Sequence, residues 1–183
     1  MKRSFVWIAF LLICLAASPL LWAKEGMEAH ATIRSCTDAK VTGEAELTEH
    51  ASAEGVKLVD IELTVRGLPP GKHAVHIHEV GSCEPCGDAK GHFDPGPNSN
   101  SNPDGNHPFH MGDLVNLEVN KAGVGHLKVS TTRITLSDGP LSIFDADGSA
   151  FIIHVDPDTY CPNGVEKGCA GGARAACGII EKE

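Results

Sequence analysis

The stretch Val59-Asp60-Ile61-Glu62-Leu63-Thr64-Val65-Arg66 alternates apolar and polar residues without a break. Successive side chains of a β-strand point to opposite faces, so this segment is a strand with one face in a core and one in water. Gly67-Leu68-Pro69-Pro70-Gly71 closes it as a turn. Outward from it, short strands are predicted near 28–35, 41–48, 73–80, 114–120, 125–136, 149–155 and 173–181, and no long helix is predicted. Eight strands separated by Gly, Pro, Asn and Asp turns define an all-β sandwich or small barrel. Two connections are long, Gly81 to Asp113 and Asp156 to Gly172, and loops of that length are functional or disordered. Asn98-Ser99-Asn100-Ser101-Asn102 has the composition of disorder, but cysteines and histidines pin both loops.

The N-terminus stands apart from this pattern. Lys2 and Arg3 precede an apolar run from Phe5 to Leu15, and Leu21-Trp22-Ala23 is followed at once by charge. This is the layout of a cleaved secretory signal over 1–23, and the run is too short for a membrane span. Ile13 before Cys14 does not fit a lipoprotein signal. Residues 24–183 are then one domain, large enough for its own core. That domain keeps 13 of the 15 bases and all 24 acids, a formal charge of −11. An acidic chain without a basic run argues against nucleic acid and against anionic membranes, but not against a small anionic substrate. Without Cys14, six cysteines remain: Cys36, Cys83, Cys86, Cys161, Cys169 and Cys177. An even number in an exported domain reads as disulfides, with 15 possible pairings. A thiolate metal site is disfavoured because Cys83-Glu84-Pro85-Cys86 has no second C-x-x-C partner.

Of ten histidines, six sit on or beside the long loops. His76-Ile77-His78 lies in a strand, where residues i and i+2 share a face, so the pair can chelate one metal. His92 follows in Gly91-His92-Phe93-Asp94-Pro95, then His110-Met111-Gly112-Asp113, and His154 ends the apolar strand Phe151-Ile152-Ile153. This supplies ligands for two metals: imidazole suits copper and zinc, and an added carboxylate suits zinc. His30, His50, His73 and His126 have no such context and read as surface residues.

In order, His76-Ile77-His78-Glu79, Gly91-His92-Phe93-Asp94-Pro95, His110-Met111-Gly112-Asp113-Leu114 and Gly171-Gly172-Ala173-Arg174-Ala175-Ala176-Cys177-Gly178 resemble the successive signatures of copper/zinc superoxide dismutases. The likeness runs from about residue 28 to the C-terminus. It implies an eight-stranded antiparallel Greek-key β-barrel and the dismutation of superoxide to dioxygen and hydrogen peroxide. By position, it implies that His76, His78 and His154 hold copper, and that His92 bridges copper to zinc and supplies a proton. His110 and Asp113 become zinc ligands, Arg174 receives the anionic substrate, and Asp158 links the two metal sites, with Asp156 as the fallback. Cys83 and Cys177 fall where the family's disulfide ties the first long loop to the last strand. A local Cys161–Cys169 bridge would close a small loop in the segment that steers substrate, leaving Cys36 with Cys86.

The sequence departs from the family where a further zinc histidine is expected, near Asn98 or Asn100. Asparagine is a poor zinc ligand, and the longer segment Asn106-His107-Pro108-Phe109-His110 brings in an additional histidine. Either His107 is the fourth ligand, or zinc is weakly held or absent. Two rival readings compete with the enzyme. A copper-binding or copper-delivery protein on the same barrel would have no need of Arg174 or a long steering loop. An immunoglobulin-type structural sandwich would not place histidines in this order. The expected protein is periplasmic or extracellular, acts on superoxide, and binds neither nucleic acid nor, once the signal is removed, membrane. Its oligomeric state is left open.

Overall fold

The computed structural model describes residues 26–37, 40–96 and 102–183. The signal predicted over 1–23 and positions Asn98 and Asn100 lie outside the described residues. The alternation of Val59–Arg66 becomes burial in β3 (Lys57–Arg66), where Val59, Ile61, Leu63 and Val65 are at most 1% exposed. Each such side chain contributes about 1.5–3 kcal/mol on burial. β3 pairs antiparallel with β2 (Thr42–Ala51), which pairs with β1 (Glu28–Ser35); their inward residues Ala45, Leu47, Ala29, Ala31 and Ile33 complete that wall.

The strand expected over 73–80 is two: β4 (Gly71–His73) and β5 (Val75–His78). β4 pairs with β6 (Leu117–Val119), and β5 pairs with β8 (Ala150–His154). Between them Ala74 turns its backbone to the β8 side, donating to the Asp156 carbonyl at 3.0 Å and accepting from His154 N–H at 2.9 Å. With β7 (Val124–Thr131) and β9 (Arg174–Lys182), the order is β4-β6-β7-β3-β2-β1-β9-β8-β5. The two outermost strands are joined by one residue, so the sheet nearly closes into a barrel. Among the described residues nine hydrogen-bonded strands therefore replace the expected eight, and the difference is Ala74. The chain crosses from β3 to β4 and from β7 to β8 between strands that are not neighbours, the Greek-key connections.

The strand expected over 125–136 stops at Thr131. Ile134 and Leu136 are still fully buried, but a side chain takes over from the ladder. Glu49 sits on the inward face of β2, where its carboxylate accepts from Leu136 N–H at 2.6 Å and Ser137 N–H at 3.0 Å, with Lys57 Nζ at 3.3 Å. Burial pushes this carboxyl up, but its hydrogen bonds from Ser137, Leu136 and Lys57 win and hold it below the usual range. Glu49→Ala strands two amides and is expected to lower unfolding free energy by about 1–3 kcal/mol, read from the denaturant midpoint.

β5 and β8 are buried on both faces. Their inner face meets the core through Val75, Ile77, Phe151 and Ile153. Their outer face carries His76, His78 and His154 and lies beneath the two long connections, which is how polar strand residues come to be inaccessible. The disulfides Cys36–Cys86 and Cys83–Cys177 tie the first connection to β1 and β9, and Cys161–Cys169 closes an eight-residue separation in the second. Bridging ends far apart in sequence, such as the 94-residue separation of Cys83 and Cys177, restricts the unfolded chain most.

Candidate metal centre

Six imidazoles converge on the outer face of β5 and β8. His76, His78, His92 and His154 are buried, and one ligand atom from each lies within 4.8 Å of the others. A second group meeting the same distance is His76, His92, His107 and Asp113. The His92 ring is common to both: its centroid is 4.0 Å from that of His76 and 4.9 Å from His78, and 5.1 Å from His110 and 5.5 Å from His107.

In the first group each ring has one nitrogen tied to a carboxylate or carbonyl and the other turned toward the neighbouring rings. His76 Nε2 is 3.1 Å from Asp158 Oδ2, so Nδ1 is left to face His154 Nε2 at 3.2 Å. His78 Nδ1 donates to the Lys90 carbonyl at 3.0 Å, leaving Nε2 buried without a partner. His154 Nδ1 donates to the Gly172 carbonyl at 3.0 Å. His92 Nδ1 is 2.6 Å from Asp113 Oδ1, and its Nε2 is also an orphan. A hydrogen bond at one ring nitrogen fixes which lone pair the other presents, so these rings aim bare lone pairs at one another. Burial, first of all, keeps them neutral: it pushes His92 and His154 each down to about 3, and His78 well below its ordinary value. Buried polar atoms without partners are costly, and a soft cation is the group that satisfies several imidazole lone pairs at once.

Asp113 organises a set that shares His92 and His107 with the second group and has His110, which lies in neither group, in place of His76. Nδ1 of His92, His107 and His110 stand 2.6, 3.2 and 3.1 Å from its carboxylate oxygens. Burial would raise the Asp113 carboxyl, but contacts from His107, His110 and His92 hold it far below the usual range. Burial would lower His107, but bonds to Asp113 and Asp158 bring it up to about 9. Three imidazoles and one carboxylate make the donor set of a closed zinc site. His107 thus stands with His92 and His110 around the Asp113 carboxylate.

Asp158 joins the groups, with Oδ2 at 3.1 Å from His76 Nε2 and 2.7 Å from His107 Nε2. Asp156, the fallback, has an exposed side chain and makes backbone bonds to Ala74 and Gly171. Asp158 itself is held by Asn116, whose Nδ2 donates to its carbonyl at 2.9 Å and whose Oδ1 accepts from its N–H at 2.7 Å. Arg174 stands opposite His154 across an irregularity in the β8–β9 ladder, where a bulge re-aims side chains. Its guanidinium donates to the carbonyls of Cys86 and Lys90, and its charge helps depress His78 and His154. Two glycines permit the approach of the loops. A Cβ on Gly112 would meet the Ile77 carbonyl at 2.2 Å, and one on Gly171 (φ +101°) would meet Ala74 Cβ at 2.4 Å and His154 Cβ at 2.8 Å.

Of the histidines read as surface residues, His30, His50 and His126 are outside the centre, near Glu181, Asp60 and Thr64 respectively. His73 is not a surface residue. It is 3% exposed, with ring nitrogens 2.8 Å from the His154 carbonyl and 2.9 Å from the Pro69 carbonyl. Its signal was present in the sequence: counting back by two from Ile77 through Val75 lands His73 on the core side. Asn116 carried no comparable signal, because its role depends on a backbone 42 positions away.

The family model for copper/zinc superoxide dismutase matches residues 41–180. The copper–zinc superoxide dismutase 2 of Aquifex aeolicus is 35% identical over 186 residues, covering 98% of this chain and 99% of that protein. The copper–zinc superoxide dismutase of Deinococcus radiodurans is 36% identical over 156 residues, 78% of each chain. Among solved structures, the clock protein EA4 superimposes with a TM-score of 0.65 at 26% identity, covering 85% of this chain and 94% of that one. The chain belongs to the copper/zinc superoxide dismutase family. It is a superoxide dismutase: its reaction is the copper-dependent conversion of superoxide to dioxygen and hydrogen peroxide, and its metals are copper and zinc.

Proposed function

We propose that His76, His78, His92 and His154 hold the catalytic copper, and that His92, His107, His110 and Asp113 hold zinc, with His92 shared. The observation that carries this reading is the direction of the ring nitrogens. Each copper-side ring is tied at one nitrogen, and Nδ1 of the zinc-side rings faces Asp113. Copper supplies the one-electron exchange with superoxide, which zinc, having no redox chemistry, cannot. The chain supplies the rest. Asp113 fixes Nδ1 of His92, leaving Nε2 as the atom that would take copper or, when copper does not occupy it, a proton for the reduced oxygen species. Asp158, held by Asn116, orients His76 and His107 together.

Arg174 receives the substrate. Guanidinium stays protonated at working pH and offers several donors to a diatomic anion. The carbonyls of Cys86 and Lys90 hold that charge in place against a formal net charge of −9 for the whole chain. We also read the chain as exported to a periplasmic or extracellular compartment, with 1–23 removed and 24–183 left as the enzyme domain. Three disulfides support this, since such bridges persist in oxidising compartments.

The zinc assignment is tested by metal content. Purified protein is expected to carry one zinc per copper, and His107→Ala should release zinc while copper stays bound, both read by mass spectrometry. Stoichiometric zinc in the variant would remove His107 from the ligand set.

A further inference from the structure

The zinc-side ligands His107, His110 and Asp113 lie on a segment with no strand or helix of its own. Something must fix the path of that backbone, because a ligand set works only when its geometry is held. One side is pinned from the barrel: Ile77 N–H donates to the Gly112 carbonyl at 2.9 Å, and Gly112 N–H donates to the Phe93 carbonyl at 2.8 Å. On the other side stands Arg133. Its Nη1 donates to the carbonyls of His110 at 3.0 Å and Pro108 at 3.4 Å, and its Nη2 donates to that of Asp113 at 2.5 Å. These carbonyls belong to two ligands and to the residue after the third.

We propose that Arg133 is a positioning residue for the zinc half of the centre, a guanidinium clamp that sets the backbone of Pro108, His110 and Asp113 and thereby the aim of His107, His110 and Asp113. The base of the clamp is rigid. Arg133 comes two residues after β7, its N–H donates to Thr131 Oγ1 at 3.1 Å, and the next residue, Ile134, is fully buried. Among the described residues no carboxylate pairs with Arg133, so its donors are spent on carbonyls. A planar fork spans three carbonyls spread over six positions, whereas an ammonium, a point donor, keeps the charge but spans less. Partners one step beyond a metal's ligands govern its affinity, typically by 10–100-fold.

The proposal rests on the zinc assignment above, and its test separates the two. Wild type, H107A, R133A and R133K are loaded with copper and zinc, then titrated with a chromophoric chelator that reports released zinc, while copper is followed by its visible absorption. The expected result is a zinc affinity lower by about 10–100-fold in R133A, a smaller loss in R133K, and copper retained in both. If R133A does not fold, R133K carries the test. Wild-type zinc affinity in the arginine variants overturns the clamp. So does tighter zinc binding, which would mean that the arginine acts by repelling the cation, or an equal loss of copper, which would make it a general scaffold residue. Those results leave the zinc assignment standing as long as H107A alone sheds zinc. Zinc held equally by wild type and H107A refutes that assignment instead.

Discussion

His76→Ala is expected to abolish superoxide dismutation in copper-supplied protein while the barrel remains folded. The side chain faces away from the core, and the packing of β5 rests on Val75 and Ile77, so the fold loses little. Truncating one buried ring costs about 2–5 kcal/mol, below the 5–15 kcal/mol of a typical domain. The site loses more. Its Nδ1 faces His154 Nε2, and its Nε2 is one of two imidazole contacts that Asp158 makes between the metal halves. Losing a ligand should exceed the roughly 10–100-fold cost of losing an outer partner. The measurements are superoxide consumption, copper content and the far-ultraviolet circular dichroism of the variant. Full activity with the ring removed, or activity in copper-free wild type, contradicts the assignment.

Arg174→Glu is the second large effect. Wild type places a positive charge beside the copper-side rings of an acidic protein, and clefts that focus charge raise association rates by about 10–10³-fold. Reversing the sign should remove that gain and add repulsion. Arg174→Lys keeps the charge and should cost less, although a single ammonium cannot bond the Cys86 and Lys90 carbonyls and still present a fork to the anion. The wild-type rate should fall as salt rises, since the screening length drops from about 10 Å at 0.1 M to about 3 Å at 1 M. A rate indifferent to both the substitution and salt would make Arg174 structural.

What could be read from the sequence follows its periodicities. The alternation of Val59–Arg66 set the strand and its inward face, and His76-Ile77-His78 placed two imidazoles on the face away from the core. Periodicity does not report where a strand changes partner, so Ala74 and the division of one strand into β4 and β5 were invisible. It also misjudged Ile134 and Leu136, which are buried as a strand would bury them but take their amide partner from the Glu49 side chain. At the metal centre, residue types and order singled out side chains that the fold brings together, whereas ring orientation did not follow from them. That orientation depends on Lys90 and Gly172 carbonyls, on Asn116 behind Asp158 and on Arg133 behind Asp113, all contacts across long sequence distances. His107 was the open choice, since Pro108 between it and His110 left the direction of its ring undetermined.

The central claim is one copper and one zinc held by a shared His92. It is tested most directly by a crystal structure of the metal-loaded protein with anomalous data at both metal edges. The account predicts a copper peak among His76, His78, His92 and His154, and a zinc peak among His92, His107, His110 and Asp113, with the His92 ring between them. A zinc peak without His107 or His92 in its shell, or a copper peak away from His76, His78 and His154, would contradict it.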